Sequence, residues 1–368
     1  MFERRLYFHV DWLLFGAIVL LSAIGVVMIY STTYLNTPTG GRANPQVLIQ
    51  LYALGLGLLA LVICLAVDYR MLAEHSLFIY GALLVMLIFV LVKGQTQMGG
   101  QRWIPIGKFH LQPSEFARIG VALLLAMYFA ENRRGAKNTS DLILGGIFTA
   151  IPLLLIAKQP DLGTAVTLIP VFIGVAFLAG LRLRLLGVLV LAGLLAAPIV
   201  WKFALKDYQR SRVVMFMDPY QDPKNAGYQT IQARVTVGSG GLVGKGFMHG
   251  TQGQLKYLPV AHNDFIFSVL AEEQGFIGVL GALGLYLFVI LRSLEAARLA
   301  KDRLGAYLVG GIISGFTFQV IYNVTMSAGL APVKGITLPL MSYGGSSLIA
   351  SLAGFGLILN VRMRRFTN

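Results

Sequence analysis

The sequence predicts an all-α protein that crosses a membrane about ten times. Of its 368 residues, 56% are hydrophobic and only 12% are charged, and the mean hydropathy is +0.72. Soluble domains carry roughly 25% charged residues. Glycine contributes 42 residues, which suits closely packed membrane helices. A soluble globular protein, a disordered chain and a nucleic-acid-binding protein are therefore excluded, and composition indicates membrane lipids as the surroundings.

The ten spans follow from a length criterion. A helix needs about 20 mostly apolar residues to cross a hydrocarbon core of roughly 30 Å. The stretches that meet it lie near residues 11–31, 47–67, 76–93, 114–130, 142–157, 164–180, 185–202, 265–291, 305–327 and 343–361. The fifth and sixth are short and leave their boundaries open. We expect the first to remain as a signal anchor, because it is too long for a removed signal peptide.

The basic residues outside the spans predict the orientation, because lysine and arginine collect in short cytoplasmic loops. The proposed inner set is Arg4, Arg5, Arg70, Arg133, Arg134, Lys137, Arg182, Arg184, Arg292, Arg298, Lys301, Arg303, Arg362, Arg364 and Arg365. The outer short loops carry Arg42, Lys93, Arg102, Lys108, Lys158 and Lys334. We therefore expect an N-in, C-in topology, a single membrane domain over residues 1–368, and a long extracytoplasmic loop at about 203–264 between spans 7 and 8.

Charged residues at the spans point to function, because a charge at the centre of a membrane helix costs ~2.5–3.5 kcal/mol or more. Glu115 and Arg118 open the fourth span three residues apart and so share a helix face. This pair is either an interfacial salt bridge or a charged pair that faces an outward-opening cavity. The single cysteine, Cys64, excludes an internal disulfide.

A second charged segment joins the fifth and sixth spans. It reads Gln-Pro-Asp-Leu-Gly-Thr over residues 159–164, with its acid at Asp161. It is either an outer turn in which Asp161 caps the sixth span, or a broken re-entrant element that lines a cavity.

The third and fourth places lie at the last spans. Asp264 stands at the mouth of the eighth span, where capping alone would explain it. Glu272 and Glu273 lie further along that helix and must face a polar interior, a cation or water, since they cannot face lipid. The glycine- and serine-rich segment 339–347 enters the last span, and Gln319 and Asn323 add a polar stripe that we expect to join helices. All four places fall near the outer face, which indicates a site that opens outward.

Together these motifs resemble one family along essentially the whole chain. They are Gln101-Arg102-Trp103, Gln112-Pro113-Ser114-Glu115, the 159–164 segment, Gly244-Lys245-Gly246, Leu258-Pro259, His262 to Phe267, Ala271-Glu272-Glu273 and Leu338 to Ser346. The family is SEDS (shape, elongation, division and sporulation). Gly250-Thr251-Gln252, Tyr208-Gln209-Arg210 and Asp218-Pro219 are similar to the elongation type, RodA, rather than the division type.

The resemblance implies a peptidoglycan glycosyltransferase of the bacterial cytoplasmic membrane. Such an enzyme polymerises lipid II into β-1,4 glycan strands during cell elongation and works with a class B penicillin-binding protein, the transpeptidase. The family's essential aspartate falls on Asp264, and its other two acids fall on Glu115 and Asp161. An α-linked donor that gives a β-linked product implies inversion by one displacement of undecaprenyl pyrophosphate, with Asp264 as general base.

The same resemblance suggests which side chains meet the substrate. The expected contacts are Lys245, Arg118, Arg210 and Arg212 at the pyrophosphate, with Trp103 and Ser342 in the first and last motifs. A divalent cation, Mg²⁺ or Mn²⁺, could share this task, held jointly with phosphate oxygens because the sequence shows no dense carboxylate cage. No organic cofactor is expected.

Two other functions stay open at this point. A lipid II flippase or transporter would also need ten spans and intramembrane acids, but its polar groups would track across the whole bilayer. A non-catalytic scaffold that anchors the penicillin-binding protein would leave the outer acids without a purpose.

Overall fold

The computed structural model describes residues 9–34, 44–97, 100–107, 109–132, 139–199, 202, 207–222, 227–255, 257–259 and 261–366. The helices are α1 (Trp12–Thr33), α2 (Pro45–Ala66), α3 (Tyr69–Glu74), α4 (Ser76–Lys93), α5 (Pro113–Glu131), α6 (Thr139–Lys158), α7 (Leu162–Val166), α8 (Leu168–Leu178), α9 (Leu183–Ile199), α10 (Asp207–Met217), α11 (Tyr228–Ser239), α12 (Thr251–Gln254), α13 (Ile266–Arg298), α14 (Arg303–Ser327) and α15 (Gly345–Met363). Of the basic residues used for the topology, Arg4, Arg5, Arg42, Lys108, Arg133, Arg134 and Lys137 lie outside the described residues.

Within the described ranges, eight helices are long and apolar enough to cross a membrane. They are α1, α2, α4, α5, α6, α13, α14 and α15. The prediction of a helical polytopic membrane protein is confirmed. The count of ten, which also requires the shorter apolar helices α7–α8 and α9 to cross, stays a prediction, as do the N-in, C-in topology and the single domain.

The predicted sixth span is divided into two helices. Asp161 caps α7, its Oδ1 accepting from the backbone N–H of Thr164 at 3.2 Å. Thr167, where α7 gives way to α8, keeps helical dihedral angles (φ −64°, ψ −18°), and its hydroxyl donates to the Thr164 carbonyl at 2.6 Å. Leu162–Leu178 therefore forms one short apolar helical stretch with a local irregularity at Thr167.

The predicted eighth span is longer than expected and contains a break. Gly275 has φ 64° and ψ −167°, which no helix accommodates, and a Cβ there would lie 2.2 Å from the Gly244 nitrogen. The backbone groups freed by this break bond to the outer loop: Phe276 N–H donates to the Gly241 carbonyl at 2.9 Å, and Lys245 N–H donates to the Glu272 carbonyl at 3.0 Å. The loop thus satisfies polar groups that lipid could not.

The structure also contains a small antiparallel sheet, which the all-α prediction did not include. Its order is β1 (Gln95–Gln97), β2 (Gly100–Ile106) and β3 (Phe109–Leu111), between α4 and α5. Within the predicted long loop, residues Tyr228–Ser239 form helix α11. The strands place Arg102 and Trp103 beside the start of α5.

Helix α15 forms the centre of the bundle and packs closely against α2. Glycine permits this approach, since a Cβ at Gly356 would lie 2.6 Å from the Leu61 carbonyl oxygen. One turn along α15, the Asn360 side-chain amide donates to the Cys64, Leu65 and Val67 carbonyls and so caps the end of α2.

We predict that Gly356→Ala destabilises this helix pair. The new methyl group meets backbone that cannot move aside, and such overpacking costs about 1–3 kcal/mol. Thermal unfolding in detergent should show a lower midpoint. Gly55→Ala on α2 is the matched control, because nothing lies within 4 Å of a Cβ there. Equal midpoints for the two variants would contradict the packing assignment.

Candidate functional site

Asp264 lies at the mouth of α13, under a segment that returns from α14, at the end of the bundle that the predicted topology places outside the membrane and that we call the outer end. The Asn323 amide of α14 donates to the Asp264 carbonyl at 2.9 Å and to the Ile336 carbonyl at 2.7 Å. Gly335, with φ +68°, passes beside the carboxylate: a Cβ there would lie 3.5 Å from Asp264 Oδ2, in van der Waals contact. Asn323 thus holds the 264 and 336 backbones together, and the chain at Gly335 runs along the Asp264 side chain.

The surroundings of Asp264 make it a much weaker acid than usual. Burial raises the pKa of its carboxyl group from 3.8 to about 6, against the opposing charges of Arg212 and Arg102, and nearby Asp161 raises it further. Among the described residues, no side chain forms an ion pair or hydrogen bond with this carboxylate. A carboxyl group with a pKa near neutrality is suited to act as a general base.

Asp161 is held in a dense network of hydrogen bonds. Its Oδ2 accepts from the Gln112 amide and from the Thr164 hydroxyl, both at 2.9 Å. Arg102 of β2 places Nη1 3.7 Å from Asp161 Oδ1, and its other nitrogens donate to the carbonyls of Gln159 and Pro160. The structure therefore joins three of the predicted motifs, since Arg102, Gln112 and Asp161 come from separate segments.

Glu115 and Arg118 form the predicted pair inside the bundle. Glu115 Oε2 lies 2.6 Å from Arg118 Nη2, and both side chains are buried. Arg118 Nη1 also donates to the Gln319 side chain of α14. The pair borders a narrow cavity whose other walls include Ile119 and Phe316. The structure thus places it against a cavity rather than at the solvent-exposed interface.

The segment that returns from α14 links these groups. A Cβ at Gly163 would lie 2.7 Å from the Lys334 carbonyl oxygen, so the segment around Lys334 packs directly on the turn that contains Asp161. Burial, together with nearby Arg212, lowers the pKa of the Lys334 amine. Arg212 donates to the Val333 carbonyl at 3.3 Å. Asp161, Lys334 and Arg212 therefore share one outer surface with Asp264.

Ser342 closes the end of the same segment. Its hydroxyl accepts from Leu338 N–H at 2.9 Å, and its carbonyl accepts from the Gln50 amide at 3.2 Å. The neighbouring Tyr343 ring stands edge-on to His262, 5.5 Å between centroids. Burial lowers the pKa of His262, which favours its neutral form. The contact of Ser342 with substrate stays a prediction.

Lys245 is held away from Asp264 by a buried acid. Its Nζ lies 2.6 Å from Glu272 Oε1 and 2.8 Å from the Thr251 hydroxyl. Glu272 is fully buried and also accepts from the backbone N–H groups of Thr251 and Gln252. Glu273 accepts from the Ser31 hydroxyl of α1. Glu272 and Glu273 therefore both have polar partners, as expected for acids that cannot face lipid. The contact of Lys245 with pyrophosphate stays a prediction.

Two further predicted contacts lie near the site's edge. Arg210, on α10 with Arg212, donates to the Lys202 carbonyl at 2.9 Å. Trp103 of β2 stands edge-on to His110, 6.5 Å between ring centroids. Their roles toward substrate stay predictions.

The described residues do not provide a protein-held metal site. They contain no group of three or more His, Cys, Asp or Glu side chains that could hold a metal ion. Both oxygens of Asp161 already accept hydrogen bonds, and arginine side chains are the charges nearest Asp264. This donor set does not fit a resident divalent cation held by protein ligands alone. Sharing of Mg²⁺ or Mn²⁺ with phosphate oxygens stays a prediction.

Some residues that shape the site belong to no motif in the sequence. Gly335 and Lys334 carry no motif signal of their own, and their position beside Asp264 and Gly163 depends on the path of the chain after α14. Arg102 belongs to a recognised motif, yet only the fold shows that its guanidinium group meets Asp161.

A family model described as cell cycle protein, covering FtsW, RodA and SpoVE, matches residues 11–366. The chain belongs to this family. The chain is 40% identical over 314 residues to peptidoglycan glycosyltransferase MrdB of Escherichia coli K12, covering 85% of this chain and 84% of the relative. It is 36% identical to the probable peptidoglycan glycosyltransferase FtsW of a Geobacter species (strain M18), over 96% of this chain and 97% of the relative.

Solved structures agree with this membership. A crystal structure of the rod shape determining protein RodA of Thermus thermophilus matches with a TM-score of 0.72 and 31% identity, over 98% of both chains. A chain from a peptidoglycan synthase complex, studied for how polymerization and crosslinking are coordinated, matches with a TM-score of 0.83 and 36% identity, over 98% of this chain and 99% of that one. The prediction of a RodA-type SEDS protein is confirmed, and the chain is a multi-pass protein of the cytoplasmic membrane.

The electrostatics of Asp264 predict how any reaction that uses it depends on pH. A base acts in its deprotonated form, so kcat/KM should rise with pH through a midpoint near 6. Arg212→Gln removes the charge that most strongly lowers this pKa, so the midpoint should move to higher pH. Arg210→Gln, two residues away on the same helix, is the matched control and should leave the midpoint in place. A downward shift, or equal shifts in both variants, would contradict the assignment.

Proposed function

We propose that this protein is a peptidoglycan glycosyltransferase that polymerises lipid II into β-1,4 glycan strands during cell elongation. The observation that carries the proposal is Asp264: a half-buried acid at the outer mouth of the bundle, flanked by Arg212 and Arg102, in a chain whose relatives bear this activity in their names. Lipid II is a disaccharide on a membrane-anchored pyrophosphate, so a site at this depth can receive both donor and acceptor.

The reaction requires one proton transfer and one displacement. The Asp264 carboxylate takes the proton of the acceptor sugar's 4-hydroxyl group as that oxygen attacks the anomeric carbon of the donor. The bond between this carbon and the pyrophosphate oxygen breaks, and its electron pair leaves with undecaprenyl pyrophosphate. Attack from the face opposite the α-linked leaving group gives the β-1,4 product in one step, so no covalent enzyme intermediate is needed.

The cations of the outer surface are suited to meet the departing pyrophosphate. The charge of Arg212 acts on both Asp264 and Lys334, and Lys334 directly precedes Gly335 in the segment that passes Asp264. Positive groups aimed at developing negative charge lower the barrier most when water is excluded. Arg102 is held by Asp161 and by two carbonyls, which fixes its guanidinium group. Asp161 therefore supports the reaction through Arg102, and Glu115 does so through Arg118.

The partner in this proposal is a class B penicillin-binding protein that crosslinks the new strands. Support comes from the similar chain in a peptidoglycan synthase complex, in which polymerization is coordinated with crosslinking. That match covers 98% of this chain and 99% of the similar chain.

A lipid II flippase is the alternative, and the placement of charge argues against it. A flippase needs polar groups along the whole path across the bilayer. Here the Glu115–Arg118 pair borders a narrow cavity whose other walls are mostly apolar, among them Ile312, Phe316 and Phe355. Translocation of lipid II by reconstituted vesicles, without polymer, would reverse this ranking.

The direct test is polymerisation of lipid II by the purified protein with its penicillin-binding partner. We expect Asp264→Asn to lower the rate by ~10²–10⁴, the usual contribution of a general base, while thermal unfolding is unchanged. Asp218→Asn is the matched control: this acid is exposed in the same loop, and an amide oxygen can still accept from Tyr220 N–H. Asp264→Asn with wild-type activity would refute the assignment of the base.

A further inference from the structure

Asn323 of α14 is a buried amide whose orientation is set by its neighbours. It is fully buried, and its Nδ2 donates to the backbone carbonyls of Asp264 and Ile336 at 2.9 and 2.7 Å. Both partners are acceptors, so the amide nitrogen rather than the amide oxygen must face them. The oxygen, Oδ1, is buried and has no hydrogen-bond partner among the described residues. Such an atom costs free energy, so the benefit of an amide at this position lies in its two donor bonds.

These two bonds join the turn that carries Asp264 to the segment between α14 and α15, residues 328–344. Gly335 of this segment runs along the acid, since a Cβ there would lie 3.5 Å from the carboxylate Oδ2. The segment binds the turn a second time, because Tyr343 N–H donates to the His262 carbonyl at 2.9 Å. The turn is therefore held at two points, once through backbone alone and once through a side chain of α14.

The segment between α14 and α15 is itself held in place by neighbouring helices. The hydroxyl of Tyr322, which directly precedes Asn323, donates to the Pro332 carbonyl at 2.8 Å. Arg212 of α10 donates to the Val333 carbonyl at 3.3 Å. The segment thus has anchors of its own and gives the turn a fixed support.

The charged groups that act on Asp264 belong to several separate elements. Arg212 of α10 and Arg102 of β2 are the nearby cations, and Asp161, which caps α7, is the nearby acid. Lys334 lies one residue from the glycine that passes the carboxylate. Burial affects the pKa of Asp264 more than any of these charges. Because a displaced turn would change both burial and the distances to these charges, a group that holds the turn also controls how Asp264 binds its proton.

We propose that Asn323 is a positioning residue for glycosyl transfer, which holds the Asp264 backbone, and with it the carboxylate, against the segment between α14 and α15. Asn323 is fully buried, so it acts through Asp264 and does not touch the substrate. A general base must lie within hydrogen-bond reach of the proton that it removes, and a displacement of about 1 Å can cost roughly 10²-fold in rate. This inference rests on the proposed function of Asp264.

Polymerisation of lipid II by Asn323→Ala tests the proposal, with rates expressed per folded protein. We expect kcat to fall by about ten-fold or more with KM unchanged, because the base is displaced while the substrate keeps its contacts. Infrared titration of Asn323→Ala, minus the double variant Asn323→Ala/Asp264→Asn, measures the pKa of Asp264 without any reaction. We expect its midpoint to move from about 6 toward 3.8, because the released turn gains access to water.

The matched control is Asn360→Ala on α15. Asn360 is also a fully buried amide that donates to backbone carbonyls, but these belong to Cys64, Leu65 and Val67 at the other end of the bundle. Its loss should lower the thermal unfolding midpoint and leave kcat per folded protein and the infrared midpoint unchanged. An unchanged kcat or an unchanged infrared midpoint in Asn323→Ala, or equal losses of kcat in the two variants, would overturn the proposal.

Asn323→Asp keeps the size of the side chain and serves if Asn323→Ala does not fold. A protonated aspartate can donate one hydrogen bond to the two carbonyls, whereas an ionised one donates none. Its kcat should therefore fall at alkaline pH, where the wild type keeps its rate, and a pH profile identical to that of the wild type would refute the positioning role. If the wild type forms no polymer from lipid II, the proposed function fails, and the infrared comparison still decides whether Asn323 positions Asp264.

Discussion

The structure depends on one constraint: a charge taken out of water beside lipid must meet an opposite charge or give up its ionised form. Most buried acids among the described residues form an ion pair with a basic side chain. The ion pairs are Glu115 with Arg118, Asp161 with Arg102, Glu272 with Lys245, and Asp11 with Arg292 and Arg362. Asp264 differs, because Arg212 and Arg102 act on it only from beyond ion-pairing distance, and burial dominates its pKa. The paired acids fix the framework, and Asp264 keeps a proton affinity that a reaction can use.

Breaks in helices are what bring these groups together. The interruption at Gly275 exposes backbone that binds the outer loop, and this loop delivers Lys245 to Glu272. The turn between α6 and α7 directs Asp161 toward Gln112 and Arg102. Irregular backbone is tolerated at membrane depth only where protein or water covers it, so each break is paired with a covering segment. The outer end is therefore held together by backbone contacts as much as by ion pairs.

Much of this could be predicted from sequence, because hydropathy defines spans and scarcity of charge marks the acids. The order of apolar helices and the positions of Glu115, Asp161 and Asp264 follow from such local signals. What could not be predicted depends on contacts distant in sequence. Lys245 looks like a free cation until the loop is placed on α13, and Gly335 becomes relevant only when the chain after α14 passes Asp264. The strands within residues 95–111 and the break at Gly275 lie in short polar or glycine-containing segments. These segments are too short for an alternation of polar and apolar residues to predict their structure.

The site depends on Asp264 being a half-buried carboxyl group with a pKa of about 6. Infrared titration of the purified protein, wild type minus Asp264→Asn, measures this directly through the carbonyl stretch of the protonated acid. We expect a difference band that disappears as pH rises, with a midpoint near 6. A midpoint close to the ordinary aspartate value of 3.8 would show an exposed or tightly ion-paired carboxylate, which is not the general base described here.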